Sequence, residues 1–334
     1  KVVPFPGKLG LSGRIARQER RKVEARAEET WWEIRARAAM AFYEIYQVDR
    51  QIAVMRETVG LLQDFEQVAK AMYAAGEGRQ SDVLRASVEV ARMNTEIARM
   101  QAMRSAAAAR LNAVLNRPAA TPVPAVDLPA LPGALPVADS LFTWAEASRP
   151  MLAGGRIGVE QAQARFDLAR REIWPDLTVG VQYGQRPAEM GTERMGSLMV
   201  GVNLPVFAGQ RQLQMRREAT AMQQMAEAEL ADMRAQTGAR IGELLAELDR
   251  DRTLVRLYRT EVLPQAQATV SSAFASYRVG KVDFMTLVDA QMTVNTYQQE
   301  LYGLLAHYGE RLAELEMAVG RELPSSNDVL LEDR

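Results

Sequence analysis

His307 is the only histidine of the chain, and there is no cysteine. A nucleophilic triad needs an imidazole base, and a zinc centre needs several His or Cys ligands, so neither can be assembled here. A lone histidine in a helical stretch reads as a structural or surface side chain. Gly76-Glu77-Gly78 and Gly154-Gly155 lack the strand-to-helix setting of a phosphate-cradling loop. The 17 methionines, among them Met190, Met195, Met199, Met215, Met222 and Met225, offer thioethers suited to soft metals. Adaptable packing is their commoner use. Near two glycine turns, Ser81 or Asp82 reads as a helix cap and Asp289 as part of a solvated face. No catalytic constellation, metal site or cofactor is expected.

Composition narrows the classes further. The chain has 334 residues, 48% apolar and 25% charged, with a net charge of −1. That is ample for a core and gives no electrostatic footprint for nucleic acid. The lack of cysteine excludes disulfides and is compatible with export. No apolar run approaches the roughly 20 residues of a membrane helix, so a membrane role must go through strands. The chain opens on Lys1 with no visible signal peptide, and its N-terminus is expected to be trimmed.

The elements are organised around residues 173–211. Leu177, Val179, Val181 and Tyr183 alternate with Thr178, Gly180, Gln182 and Gly184. After a polar loop at 185–196, Leu198, Val200, Val202 and Leu204 alternate with Met199, Gly201 and Asn203. Period-two alternation predicts a β-hairpin with one aliphatic and one small or polar face. That is the pattern of a barrel strand, apolar toward lipid and wet toward the lumen. Trp174 and Phe207 at the ends, with Tyr183 near the loop, suit interfacial girdles. The runs 173–184 and 196–207 are long enough for tilted spanning strands, which need about 9–11 residues. An amphipathic hairpin on a soluble core is the alternative. Either way, two strands alone leave their edges exposed and need partners.

Helices flank this hairpin. Val2 and Val3 could end a strand, and a proline-free helical pattern runs over about 11–73. Within it Ile34, Ala38, Ala41, Ile45, Val48, Ile52, Met55, Val59 and Leu62 keep a strict 4,3 spacing. Such a seam imposes a left-handed supercoil on packed helices, and its alanines permit close approach. Glycines at 76 and 78 break the pattern. A second helix is predicted to about Asn116, then a proline-rich connector over 118–138. A third helix is predicted over 139–172, interrupted at Pro150 and Gly154-Gly155. Another long helix should cover 209–277 with a kink at Pro264, and a last one should run from about Phe284 to Val319. The tail over 324–334 reads as loose.

The order repeats. Phe5 and Phe207 lie 202 residues apart, Gly76 and Gly280 204, and Val114 and Val319 205. Two tandem copies of one unit are expected, over 1–117 and 139–323. The first copy lacks counterparts of the 139–172 helix and most of the hairpin, and is expected to be truncated at its N-terminus.

Specific residues then carry a resemblance. Arg149-Pro150, Ala169-Arg170 and Trp174-Pro175-Asp176-Leu177 resemble the lead into a barrel strand of the TolC family of outer-membrane efflux and secretion channels. Leu204-Pro205-Val206-Phe207-Ala208-Gly209 resembles its strand-to-helix passage. Tyr277-Arg278-Val279-Gly280 with Leu287-Val288-Asp289-Ala290 resembles its periplasmic turn. Pro4-Phe5-Pro6-Gly7-Lys8-Leu9 is similar to the branch serving heavy-metal RND pumps.

The resemblance implies a mainly α fold with a transmembrane β-hairpin. Coiled-coil helices would form a periplasmic α-barrel, and a homotrimer would close a twelve-stranded β-barrel in outer-membrane lipid. It implies a passive exit duct, not an enzyme, working with a periplasmic adaptor and an inner-membrane pump. Asp289 matches a constriction ring, although Thr286 stands where the family often has a second acid. Asp82 and Tyr277 match positions linking neighbouring coiled coils in the closed state. The basic partner is absent at Val282, with Lys281 or Arg278 as substitutes. Gly76, Glu77, Val279, Gly280 and Lys281 match adaptor-docking tips. Other readings are a type I secretion channel, a periplasmic adaptor, whose lipoyl-like strands are not found, and a structural coiled coil, which leaves the hairpin face unexplained. Substrate identity is not legible.

Overall fold

The 4,3 spacing in the first long helix is used for packing from Ala41 onward. Ala41, Ile45, Val48, Ile52, Met55 and Leu62 are buried, whereas Ile34 is exposed. In the computed structural model, which describes residues 1–188, 191–203 and 211–323, this helix is α1, Lys8–Ala74. It follows a short strand β1, Val2–Val3, and precedes α2, Gln80–Val114. Then come α3 (Ala138–Ser148), α4 (Pro150–Arg171), β2 (Asp176–Ala188) and β3 (Gly191–Asn203). The chain continues with α5 (Gln212–Leu257), a π-turn (Tyr258–Val262), α6 (Leu263–Arg278) and α7 (Phe284–Val319). The chain divides into two compact units, 1–30 with 143–239, and 31–142 with the described residues from 240 onward.

Several local expectations are corrected. Neither Ser81 nor Asp82 caps α2. Its N-cap is Arg79, without a side-chain cap bond, and Asp82 lies in the first turn, where a carboxylate complements the helix dipole. The interruption expected at Pro150 is present, with Arg149 as the N-cap of α4, since a proline disfavours helical geometry in the residue before it. Gly154 and Gly155 do not interrupt the helix. A Cβ on Gly155 would lie 3.0 Å from Leu230 Cδ1 and 3.3 Å from Met233 Sδ, so that glycine admits a neighbouring helix. The residues expected to loop at 185–196 are largely strand, paired from Asp176↔Asn203 out to Ala188↔Gly191. Pro264 acts through the π-turn before α6. Lacking an N–H, it cannot continue the i→i−4 ladder, and the Leu263 N–H reaches back to the Tyr258 carbonyl. The tail at 324–334 lies outside the described residues.

In the first unit, β1 and β2 pair antiparallel through Val2↔Thr178 and Val3↔Leu177, giving the order β1-β2-β3. The junction below the sheet is tied by Lys8. Its Nζ donates to Asp176 Oδ1 (2.9 Å), the Trp174 carbonyl (3.0 Å) and Glu172 Oε2 (3.3 Å). The Phe5 amide also donates to Asp176 Oδ1 at 2.8 Å, and the Phe5 ring stacks on Trp174 at 5.2 Å. Arg149 pairs with Glu29 at 3.2 Å, and Glu29 also accepts the Met151 amide at 2.9 Å. Removing one member of so buried a pair would strand the other.

In the second unit, a buried polar step fixes the register of α7 on α1. Asn295 Nδ2 donates to Thr58 Oγ1 at 2.8 Å, and that hydroxyl donates to the Val54 carbonyl at 3.0 Å. One polar position in an apolar seam penalises any slipped register. The connector, poor in N–H groups at its prolines, is held through its carbonyls. Asn112 Nδ2 reaches the Thr121 carbonyl (2.8 Å), Arg252 that of Gly133 (2.8 Å), and Tyr308 Oη that of Pro132 (2.5 Å).

Two measurements check this packing. A Cβ at Gly309 would lie 2.3 Å from the buried Tyr43 ring. Gly309→Ala is therefore expected to destabilise the fold by about 1–3 kcal/mol, read from urea unfolding. Asp283 caps α7, accepting from the Thr286 hydroxyl (2.6 Å) and amide (2.9 Å). These bonds, hydroxyl first, hold its carboxyl below the ordinary value, with a smaller push from Arg85 and Arg79. The cap is thus fully present above the ordinary carboxylate pKa and is lost as pH falls through the lowered one. Hydrogen exchange at the Thr286 amide should quicken across that window in wild type and be fast throughout in Asp283→Ala.

Candidate functional site

Two places hold the residues singled out in the sequence, one in each unit. On the hairpin, the register sets Leu177 opposite Val202, Val179 opposite Val200 and Val181 opposite Leu198, with Tyr183 opposite Gly196. Side chains directly opposite share a face, so the aliphatic residues of both strands form one continuous ladder. All of it is exposed. Val181 is 81% accessible, and Leu177, Val179, Tyr183, Leu198, Val200 and Val202 are likewise exposed, as is Trp174. Leu204 and Phe207 lie outside the described residues. The other face sets Thr178 opposite Gly201, Gly180 opposite Met199, Gln182 opposite Ser197 and Gly184 opposite Met195. A hairpin packed on a soluble core would bury one of these faces, and neither is buried.

The second place is formed by the turns after α1 and α6, which close by the same bonds. Gly76 takes φ 76° and Gly280 φ 68°, the left-handed region open to glycine. The Gly76 amide donates to the Tyr73 carbonyl (3.0 Å) and that of Glu77 to Met72 (2.9 Å). At the other turn, Gly280 donates to Tyr277 (2.9 Å) and Lys281 to Ser276 (2.9 Å). Each is a Schellman pair satisfying the orphan carbonyls of a helix end. Gly76, Glu77, Val279, Gly280 and Lys281 are all exposed at these turns.

Tyr277 is only 3% accessible. Its ring meets Phe284 edge-on at 5.4 Å, and its hydroxyl lies 3.5 Å from Asp82 Oδ2, a long hydrogen bond. Burial, with the Asp82 charge second, pushes the phenol up to about 12, so the hydroxyl stays a donor. The structure thus brings Tyr277 and Asp82 together. Asp289 is exposed on α7 and is not bonded to that pair. Asp283 was missed as a cap, although an aspartate just before an apolar helical run was the available signal. Beside the stacked rings of Phe65 and Phe274 (5.4 Å), a groove of about 380 Å³ opens between α1, α6 and α7. Its lining combines Leu61, Val270 and Val294 with the acids Glu57 and Asp64 and glutamines at 267, 291 and 298, and it contains no histidine or lysine.

The cobalt-zinc-cadmium resistance protein CzcC of Cupriavidus metallidurans is 23% identical over 323 residues, covering 96% of this chain and 75% of the relative. The outer membrane efflux protein BepC of Brucella suis is 25% identical over 265 residues, covering 76% of this chain and 56% of that protein. Among solved structures, VceC of Vibrio cholerae superposes with a TM-score of 0.82 at 18% identity, covering 96% of this chain and 78% of that one. The open-state channel MtrE of Neisseria gonorrhoeae gives 0.78 at 18% identity, covering 96% and 74%. These likenesses establish the fold. The model of the family Outer membrane efflux protein matches residues 141–321, more than half of the sequence. The chain belongs to the outer membrane efflux protein family.

Proposed function

We propose that three copies of this chain form the exit duct of a tripartite efflux system, with heavy-metal ions as the cargo. The family resides in the outer membrane, with its helical part in the periplasm, and its members are channels, not enzymes. The observation that carries the reading is the exposed ladder of Leu177, Val179, Val181, Leu198, Val200 and Val202, in register across two strands of 13 residues each. An apolar band of that length is stable against lipid, and lipid in turn demands a closed barrel. Each protomer would give four strands to a twelve-stranded barrel, with β2 and β3 as one pair.

The two Schellman turns, 204 residues apart, support the reading of the chain as two tandem repeats over 1–117 and 139–323, joined by the connector at 118–138. Gly76, Glu77, Val279, Gly280 and Lys281 would meet a periplasmic adaptor there. Tyr277 and Asp82 would latch the entrance, and three copies of Asp289 would narrow it and favour cations. The heavy-metal assignment is supported by the likeness to CzcC, a cobalt-zinc-cadmium resistance protein, over nearly the whole chain. The pump would choose the ion, and the duct would conduct passively.

Reconstitution of the trimer in planar bilayers tests this. Long-lived unitary currents are expected, blocked by a trivalent cation from the periplasmic side. Asp289→Ala should raise the blocking concentration about tenfold, the loss of ~1.4 kcal/mol of binding. Tyr277→Phe combined with Asp82→Ala should raise the current by loosening the latch. A folded trimer that conducts nothing even with the latch removed would overturn the duct. Unchanged block in Asp289→Ala would remove that residue from the gate.

A further inference from the structure

The cations of the first unit are the feature that the duct reading leaves unused. Residues 8–26 carry seven Lys or Arg against two Glu, residues 165–171 three Arg against one Asp, and residues 211–217 three Arg and no acid. The whole chain has a net charge of −1, so this excess is local. The helix contacts gather it below the sheet. α4 lies antiparallel to α1, joined by Arg149–Glu29 at one end (3.2 Å) and Glu172–Lys8 at the other (3.3 Å). α5 lies antiparallel to α4, since the Arg149 guanidinium donates to Thr237 Oγ1 at 2.9 Å and Gly155 admits Leu230. Carried toward the sheet, these registers set Arg170 level with Arg216, and Arg165 level with Arg14. α4 ends at Arg171, five residues before β2 begins at Asp176.

Among the described residues, Arg14, Arg17, Arg165, Arg170, Arg216 and Arg217 are exposed and make no ion pair. In the second unit, by contrast, Arg35 is matched by Glu316, Arg104 by Asp49 and Arg311 by Glu247. Crowding like charges on packed helices raises their mutual repulsion, which a nearby acid would relieve. Solvation accounts for a single exposed arginine, but not for a band of them mixed with exposed apolar side chains. Leu9 is 70% accessible, Trp174 56% and Leu213 43%, all close in sequence to these cations. Arginine with tryptophan and leucine in one band is the composition of a lipid head-group contact. The apolar side chains enter the acyl boundary while the guanidinium groups stay at the phosphates.

We propose that this arginine collar binds the head groups of anionic phospholipid in the leaflet that meets the helical end of the hairpin. The family's helical part is periplasmic, so that leaflet is the periplasmic one. Guanidinium groups grip phosphate through paired, charge-assisted hydrogen bonds. The attraction of an anionic surface fades within a Debye length, about 8 Å at physiological ionic strength. Arg170, Arg216 and Arg217, nearest the sheet, therefore carry most of the binding. Arg165 lies about 9 Å further along α4 than Arg171 and contributes less, as does Arg14 at its level. Held in this way, the collar fixes the depth at which the hairpin sits. The collar as such stands on charge and helix register, while its meeting with a bilayer rests on the barrel reading above.

The test titrates detergent-solubilised trimers of the full chain with phosphatidylglycerol, or with phosphatidylcholine as the neutral counterpart, and counts bound lipid by native mass spectrometry. Arg170→Gln, Arg216→Gln and Arg217→Gln together should weaken phosphatidylglycerol binding at least about tenfold and leave phosphatidylcholine unchanged. Removing three exposed charges from the second unit instead, by Arg56→Gln, Arg85→Gln and Arg256→Gln, should change neither. Undiminished phosphatidylglycerol binding in the collar variant, or an equal loss in the second-unit variant, would overturn the collar. Inorganic phosphate at the concentration of the lipid phosphate should not displace the lipid. Displacement would mark a site for free phosphate and overturn the lipid assignment. Phosphatidylglycerol that binds through these arginines in a trimer that conducts nothing would uphold the collar and overturn the duct.

Discussion

Backbone hydrogen bonding in an apolar medium is the constraint from which the rest follows. Every N–H and C=O of β2 and β3 that faces lipid must be paired, because no water is there to replace a partner. The two strands satisfy one another from Asp176↔Asn203 to Ala188↔Gly191, and β1 adds a short third member at Thr178 and Leu177. Beyond those pairs, further strands must close the sheet, and closure in a ring is the arrangement that leaves no edge. In the proposed duct, the aliphatic ladder on one face and the glycines and polar residues on the other would become lipid wall and lumen wall of one structure.

The same constraint explains how the helices are attached. A strand that enters lipid, as proposed here, could not wander relative to the helix that feeds it, and the junction is pinned by charge. Lys8 bridges Asp176, Glu172 and the Trp174 carbonyl, while Phe5 stacks on Trp174. In the other unit, the Asn295–Thr58 bond sets helix register, and the Schellman turns end α1 and α6 without orphaned carbonyls. Against these firm fixtures the Tyr277–Asp82 contact is long, at 3.5 Å, and carries a hydroxyl that stays protonated. A weak bond between well-fixed helices is what the proposed latch would require.

Much of this was legible because it rests on strong periodicities. Alternation at 177–183 and 198–202 gave the hairpin and its apolar face, and the 4,3 spacing from Ala41 to Leu62 gave the buried seam of α1. The start and end expected for α7, at Phe284 and Val319, coincide with those observed. What was missed depends on contacts that spacing does not encode. Gln185 and Arg186 look like loop residues, yet they continue the strand, paired opposite Arg194 and Glu193, because backbone pairing tolerates polar side chains. Gly154-Gly155 looks like a breaker, but Leu230 and Met233 need the space. Ile34 keeps the heptad and is nevertheless exposed, since a seam says which residues can pack and not where a partner lies. The Tyr277–Asp82 pairing followed from family resemblance alone, for the two residues are 195 positions apart.

The central claim is that the aliphatic ladder faces lipid, and the chain is suited to a direct test because it has no cysteine to remove. Single cysteines at Val179, Val181, Leu198 and Val200, and at Thr178, Gln182 and Ser197, would be spin-labelled in trimers reconstituted into vesicles. Collision with dissolved oxygen and with a water-soluble nickel chelate would then be compared site by site. The account predicts a period-two pattern, with the first four positions accessible to oxygen and shielded from nickel, and the other three the reverse. Equal nickel access on both faces, or shielding of the ladder from both reagents, would contradict it.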